Sequence, residues 1–194
     1  MTARMFVAIR PPEDILDDLD RFAEPRRAAD STVRWTTPDS WHLTLAFAEA
    51  VPADAEEEFV DRLRAVADKH APFDLQLAGA GSFPSPARAK VLWTGVAGQT
   101  DQVIRLSAAV RRAASVAGIE VDGGRFRPHL TLARMNRAQE ATRWLRIFEL
   151  FAGRPWRVTE FELIESVLRA GRGNRYRTEE RFPLRLPSLR APTR

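Results

Sequence analysis

The sequence predicts an α+β fold, with largely antiparallel sheet and helices packed against one face. Three observations carry this reading. Short segments of alternating apolar and polar residues are separated by turn-prone clusters. Longer segments space their apolar residues at helical intervals. And His42-Leu43-Thr44-Leu45-Ala46 recurs as His129-Leu130-Thr131-Leu132-Ala133, which suggests two similar lobes.

Residues 5–9 form the first apolar strand. Pro11, Pro12, Glu13 and Asp14 open a helix, since proline is tolerated in a first turn and acids complement the N-terminal dipole. Its apolar stripe is Ile15, Leu16, Leu19 and Phe22. Residues 33–36 form a second strand, and Pro38-Asp39-Ser40 a turn into the first histidine strand, which runs to Phe47. Residues 54–70 form an amphipathic helix with Asp54 as N-cap, and Phe59, Leu63 and Val66 facing inward. His70 is an exposed residue at the end of that helix.

Residues 73–77 alternate as a strand, 79–86 read as a glycine-containing loop, and 90–93 as the next strand. The loop lacks the Gly-Lys-Ser/Thr of a phosphate cradle. Residues 101–117 form a helix buried through Val103, Ile104, Leu106, Val110 and Ala114, with Arg105, Arg111 and Arg112 solvated. After Gly118 the chain reaches the second histidine strand through Arg125-Phe126-Arg127-Pro128. A helix over 138–150 and strands over 156–158, 160–168 and 176–182 complete the pattern, with a flexible basic loop over 169–175. Residues 1–185 are expected to be one domain and 186–194 a flexible tail.

The length of 194 residues suits a single sizeable core. No apolar run approaches the roughly 18 residues of a membrane span. No signal-peptide pattern opens the chain, so the expected location is cytoplasmic. The absence of cysteine excludes disulfides, thiolate metal sites and a cysteine nucleophile. The net charge is +4, carried by arginine, because Lys69 and Lys90 are the only lysines. Arginine suits bidentate phosphate contacts, although a GC-rich coding sequence explains such a count equally well.

In a strand, residues i and i+2 share a face. His42 and Thr44 therefore stand together opposite Leu43 and Leu45, and His129 and Thr131 repeat the arrangement. One such strand is a weak signal, whereas two in the same local context point to a pair of imidazoles dividing general-acid and general-base work. Two hydroxyls beside them suit the non-bridging oxygens of a phosphate, and a nearby arginine suits the developing charge. This apparatus fits metal-free displacement at phosphorus. A zinc site would need further ligands at His-Glu-x-x-His spacing, and a serine triad would need a Gly-x-Ser-x-Gly elbow; neither pattern occurs.

The two His-x-Thr-Leu motifs resemble the 2H phosphoesterase superfamily, and within it the RNA 2′,3′-cyclic phosphodiesterases historically called 2′-5′ RNA ligases. The likeness extends to Met5-Phe6-Val7-Ala8-Ile9, Trp35 through Phe47, Phe83-Pro84-Ser85-Pro86 with Val91-Leu92-Trp93, Phe126 to Arg134, and Glu165-Ser166 with Tyr176 and Arg181-Phe182-Pro183-Leu184. Where the family has a Leu-Gly-Glu-Val type of sequence, this chain has Ala48-Glu49-Ala50-Val51.

The resemblance implies two pseudo-symmetric lobes with an active-site cleft between them. It implies opening of a terminal 2′,3′-cyclic phosphate to a 2′-phosphomonoester, with no cofactor and no metal. His42 would be the proton donor and His129 the acceptor. Thr44 and Thr131 would bind the phosphate. Arg127 is a candidate further phosphate contact, and Phe47 and Tyr176 are candidate base-stacking residues. The expected partners are RNA 3′ ends bearing a cyclic phosphate, or small cyclic nucleotides, with no membrane and no obligate protein partner. The reverse ligation and simple RNA-end binding are the alternatives.

Overall fold

The computed structural model describes residues 2–29, 33–169 and 173–185. The tail expected over 186–194 lies outside the described residues, as do 170–172 of the expected basic loop. In chain order the elements are β1 (Thr2–Ile9), α1 (Glu13–Ala29), β2 (Arg34–Trp35), β3 (Leu43–Pro52), α2 (Glu56–Ala67), β4 (Phe73–Phe83) and β5 (Ala89–Gly98). They continue with α3 (Thr100–Val116), β6 (Leu130–Gln139), α4 (Thr142–Phe148), β7 (Trp156–Val158), β8 (Glu160–Arg169) and β9 (Gly173–Pro183).

The strands form one antiparallel sheet in the order β7-β4-β5-β6-β3-β1-β8-β9, with β2 alongside β6. Its centre is the meeting of the two histidine strands, which pair only at Leu43 and Leu130. Outward from that point the two sides match. Each has a histidine strand, then the strand that precedes a long helix (β1 before α1, β5 before α3), then two more strands. Both histidine strands also bulge at the same place. Leu45 is the extra residue where Val7 pairs with Ala46 and Ala8 with Thr44. Leu132 is the extra residue where Leu92 pairs with Ala133 and Trp93 with Thr131.

The leucines of the repeat are core residues: Leu43, Leu45, Leu130 and Leu132 are all buried. The helices cover that face and cross between the two sides. α1 follows β1, yet its Phe22 packs on Phe148 and Phe151 at α4, which lies on β4 and β5. α3 follows β5, yet packs on β3, where the Ser107 hydroxyl donates to the Leu45 carbonyl at 2.6 Å. α2 lies against α3 and β9. Each half thus holds the other's helix, which ties the two histidine strands into one core.

Several sequence expectations are corrected. The loop expected over 79–86 is strand as far as Phe83. Gly79 adopts φ +75° at the bulge between Leu77 and Ala80, and Gly81 lies under the Trp93 ring, where a Cβ would come within 1.9 Å of Cζ2. These glycines therefore serve a bulge and a close approach rather than a turn. The helix expected over 138–150 is only Thr142–Phe148, because β6 continues until Gln139 pairs with Ala89. Asp54 is not a cap: Ala55 stands at that position, without a capping side chain. Ile104 is 47% exposed rather than buried. Where the family has its glycine, β3 runs on to Pro52 with a second bulge at Glu49 and Ala50.

Candidate active site

His42 and His129 each stand one residue before their strand, and each ring bonds to the backbone two residues upstream. His129 Nδ1 lies 2.7 Å from the Arg127 carbonyl, and His42 is bonded to Ser40. A ring that donates one N–H to a carbonyl keeps its other nitrogen free for the site. The surrounding rings correspond as well. His42 stacks on Phe6 at 4.6 Å, with Tyr176 edge-on at 5.5 Å. His129 lies edge-on to Phe83 at 5.0 Å, with Trp93 at 5.9 Å.

This packing sets the protonation state. Burial pushes the His42 imidazole down to about 4, aided by the charges of Arg10 and Arg134 and by His129, and opposed by the Ser40 bond. Burial also lowers His129, with Arg134 and Arg127 acting in the same direction against the Arg127 carbonyl bond. Both rings are therefore neutral at neutral pH in the free protein. Arg134 is the guanidinium that acts on both of them.

Continuing the Leu43–Leu130 pairing by one residue each way sets Thr44 beside His129 and His42 beside Thr131. Thr44 and His129 do line one cavity of about 240 Å³, together with Phe47, Phe83, Arg125 and Arg127. Each histidine thus stands beside the threonine of the other strand. Thr36 holds the two motifs in register: its oxygen accepts from the Trp41 indole N–H at 2.7 Å, and its proton is shared between the Thr131 and Leu132 carbonyls at 2.8 and 2.7 Å.

The remaining candidates are placed as follows. Arg127 is exposed, precedes β6, and lies over the Trp93 ring at 5.7 Å beside His129. Phe47 lines the cavity, with the Arg4 guanidinium 4.9 Å over its ring. Tyr176 is 36% exposed and packs edge-on against His42 and Phe6, so its ring flanks the imidazole. His70 lies three residues past the end of α2 and is half-buried rather than exposed, with Nδ1 2.7 Å from the Val66 carbonyl, in a groove between α2 and α3.

Sequence reasoning missed Arg134, Arg10 and Thr36. Arg134 is three residues after Thr131, which strict alternation assigns to the leucine face; the bulge at Leu132 returns it to the histidine face. Arg10 is held in place by a bond to the Asp39 carbonyl at 3.1 Å. Among the described residues, no group of three or more His, Asp or Glu is arranged to hold a metal, and no helix is long and apolar enough to cross a membrane.

Comparison with known proteins gives the same pattern a lineage. An RNA 2′,3′-cyclic phosphodiesterase from Geobacillus stearothermophilus is 30% identical over 129 residues, covering 66% of this chain and 41% of that protein. Alignments with several relatives of that name span 41% to 56% of their length. One from Archaeoglobus fulgidus is 28% identical over 166 residues, covering 85% of this chain and 92% of the relative. The crystal structure of E. coli LigT complexed with 3′-AMP superposes with a TM-score of 0.76 at 28% identity, covering 95% of this chain and 99% of LigT. The model of the 2′-5′ RNA ligase superfamily matches residues 11–169, a span that contains both histidine strands and the bulge after each. By that match the chain belongs to the 2′-5′ RNA ligase superfamily.

Proposed function

We propose that this chain hydrolyses the terminal 2′,3′-cyclic phosphate of RNA to a 2′-phosphomonoester, by a two-histidine acid–base mechanism in the cytoplasm. The observation that carries the reading is the pairing of two equivalent imidazoles across one strand junction, each beside a threonine of the other strand, with Arg134 acting on both.

The chemistry follows from the groups available. The cyclic phosphate lies between the strands, its non-bridging oxygens accepting from the Thr44 and Thr131 hydroxyls, with Arg134 and Arg127 balancing its charge. His129, neutral in the free protein, accepts a proton from water as the water oxygen bonds to phosphorus. The bond from phosphorus to the 3′-oxygen breaks, and protonated His42 supplies the proton that leaves a 3′-hydroxyl. The phosphate stays on the 2′-oxygen. His42 begins neutral, so it takes up its proton when the anionic phosphate enters and offsets the field of Arg10 and Arg134.

A small cyclic nucleotide presents the same phosphate. That reading draws support from the nucleotide-sized ligand, 3′-AMP, in the related LigT. Ligation to a 2′,5′ linkage is the reverse path through the same groups. Water at about 55 M outcompetes scarce RNA ends by mass action.

The test is turnover by His42→Ala and His129→Ala, each checked for wild-type thermal stability. Both variants are expected to lose turnover on a cyclic-phosphate RNA. Full activity in either folded variant rejects the two-histidine mechanism.

A further inference from the structure

We infer that the cavity beside His129 is a subsite for a second phosphate, on the 5′ side of the terminal ribose, with Arg111 and Arg125 as its ligands. The inference rests on the cyclic phosphodiesterase reading and adds the substrate class: an oligonucleotide end in preference to a free cyclic mononucleotide.

The cavity leaves the reacting centre at Thr44 and His129 and extends to Arg111 on α3 and to residues 122–127. Helical spacing puts Arg111 on the solvated side of its helix; it is half-buried and lines this cavity instead. The wall is pinned in place, since the Asp122 backbone N–H donates to the Phe47 carbonyl at 3.2 Å. Asp122 is also the one carboxylate in the lining.

Two features identify the occupant. The first is charge. Some exposed arginines sit on carboxylates, as Arg62 does on Glu58, Arg64 on Glu180, Arg105 on Asp101 and Arg154 on Asp18, while others such as Arg88, Arg112 and Arg137 do not. What marks Arg111 and Arg125 is that they line one cavity with Arg127, three guanidiniums against the one carboxylate of Asp122. Among the described residues, Arg111 and Arg125 have no such ion pair. The reacting phosphate is already served by Thr44, Thr131, Arg127 and Arg134, so two further guanidiniums call for another anion. A nucleoside cyclic phosphate has only one phosphate, whereas an RNA end supplies the next along its backbone.

The second feature is size. At about 240 Å³ the cavity is below the roughly 300–1,000 Å³ of sites that enclose a whole small molecule. It suits one sugar–phosphate unit of a chain that continues into solvent. Phe47, braced by the Arg4 guanidinium on its ring, gives that unit an apolar side.

The test compares three substrates: a nucleoside 2′,3′-cyclic phosphate, the same compound with a 5′-phosphate, and a six-residue RNA ending in the cyclic phosphate. In the wild type, kcat/KM is expected to rise by about tenfold or more when the 5′-phosphate is added, and the RNA to keep that gain. Arg125→Gln and Arg111→Gln should each lower the ratio of RNA to mononucleotide kcat/KM by about tenfold. The salt dependence of RNA turnover should flatten by about 0.7 in log–log slope for each phosphate that a variant no longer neutralises. Exposed Arg125 is the safer variant for folding, and the wild-type salt slope needs no variant.

A gain confined to the RNA, absent from the 5′-phosphorylated mononucleotide, assigns recognition to the rest of the chain and overturns the subsite. Equal losses on all three substrates overturn it as well, because the cavity then serves the terminal nucleoside. Failure of the wild type to turn over any of the three overturns the phosphodiesterase reading, and the subsite with it.

Discussion

Binding of an anion between the strands should recharge His42. In the free protein its midpoint is about 4, set by burial and by the fields of Arg10 and Arg134. One negative charge about 4 Å from the ring, at an effective dielectric constant of about 20, favours the protonated form by about 4 kcal/mol. At about 1.4 kcal/mol per pH unit, that raises the midpoint by about three pH units, into the neutral range. Sulfate is a suitable probe, since it does not titrate in this window and has no cyclic ester to react. The assay is histidine ring NMR across pH 3 to 8, with and without sulfate at fixed ionic strength, assigned with His129→Gln and His70→Gln. His42 is expected to titrate near 4 alone and markedly higher with sulfate. An unchanged His42 midpoint, with sulfate shown to bind through shifts at His129, would refute the electrostatic argument and the donor role built on it.

Three further outcomes follow from the same structure. The unfolded chain protonates His42 near 6.5 and the folded chain only near 4, so the unfolded state holds the extra proton between those values and stability falls as pH drops through that window, by about 3 kcal/mol in all; denaturant unfolding at pH 7.5 and 4.5 should show a smaller loss for His42→Gln than for wild type, and equal losses would contradict the burial argument. Gly81→Ala forces its new methyl into the Trp93 ring and should cost about 1–3 kcal/mol in urea unfolding while lowering turnover through the ring beside His129; unchanged stability would mean that Trp93 moves freely. Thr36→Val leaves the Trp41 indole without its acceptor and should cost about 1–3 kcal/mol, against an effect near zero if water takes the place of the hydroxyl.

The repeat was legible because alternation holds from His42 to Leu45 and from His129 to Leu132: two leucines for the core and two polar groups for the opposite face are written into five residues. Arg134 was hidden because alternation fails one step later. A bulge inserts a residue through pairing with the neighbouring strand, and no local preference in Leu-Ala-Arg announces it. The same bulge at Leu45 puts Phe47 on the histidine face, so Phe47 and Arg134 are equivalent positions carrying different chemistry.

Gly79 and Gly81 were misread for a related reason. Glycine marks a turn, a bulge or a close approach alike, and only pairing with β5 decides between them: the register shift at Gly79, and the Trp93 ring, 12 residues away in sequence, over Gly81. Thr36 was invisible because its partners are carbonyls nearly a hundred residues distant. Ile104 matched the helical stripe in spacing, but the buried face is narrower than the pattern allowed: it runs through Val103, Leu106, Ser107 and Val110 and leaves Ile104 outside it.

The central claim is tested most directly by giving the protein a short RNA ending in a 2′,3′-cyclic phosphate, with EDTA present, and resolving the 2′- and 3′-phosphate products. Rapid conversion to the 2′-phosphate alone is the predicted result, since the proposed mechanism sets protonated His42 against the departing 3′-oxygen. Conversion to the 3′-phosphate, or no conversion by folded protein, would contradict the mechanism.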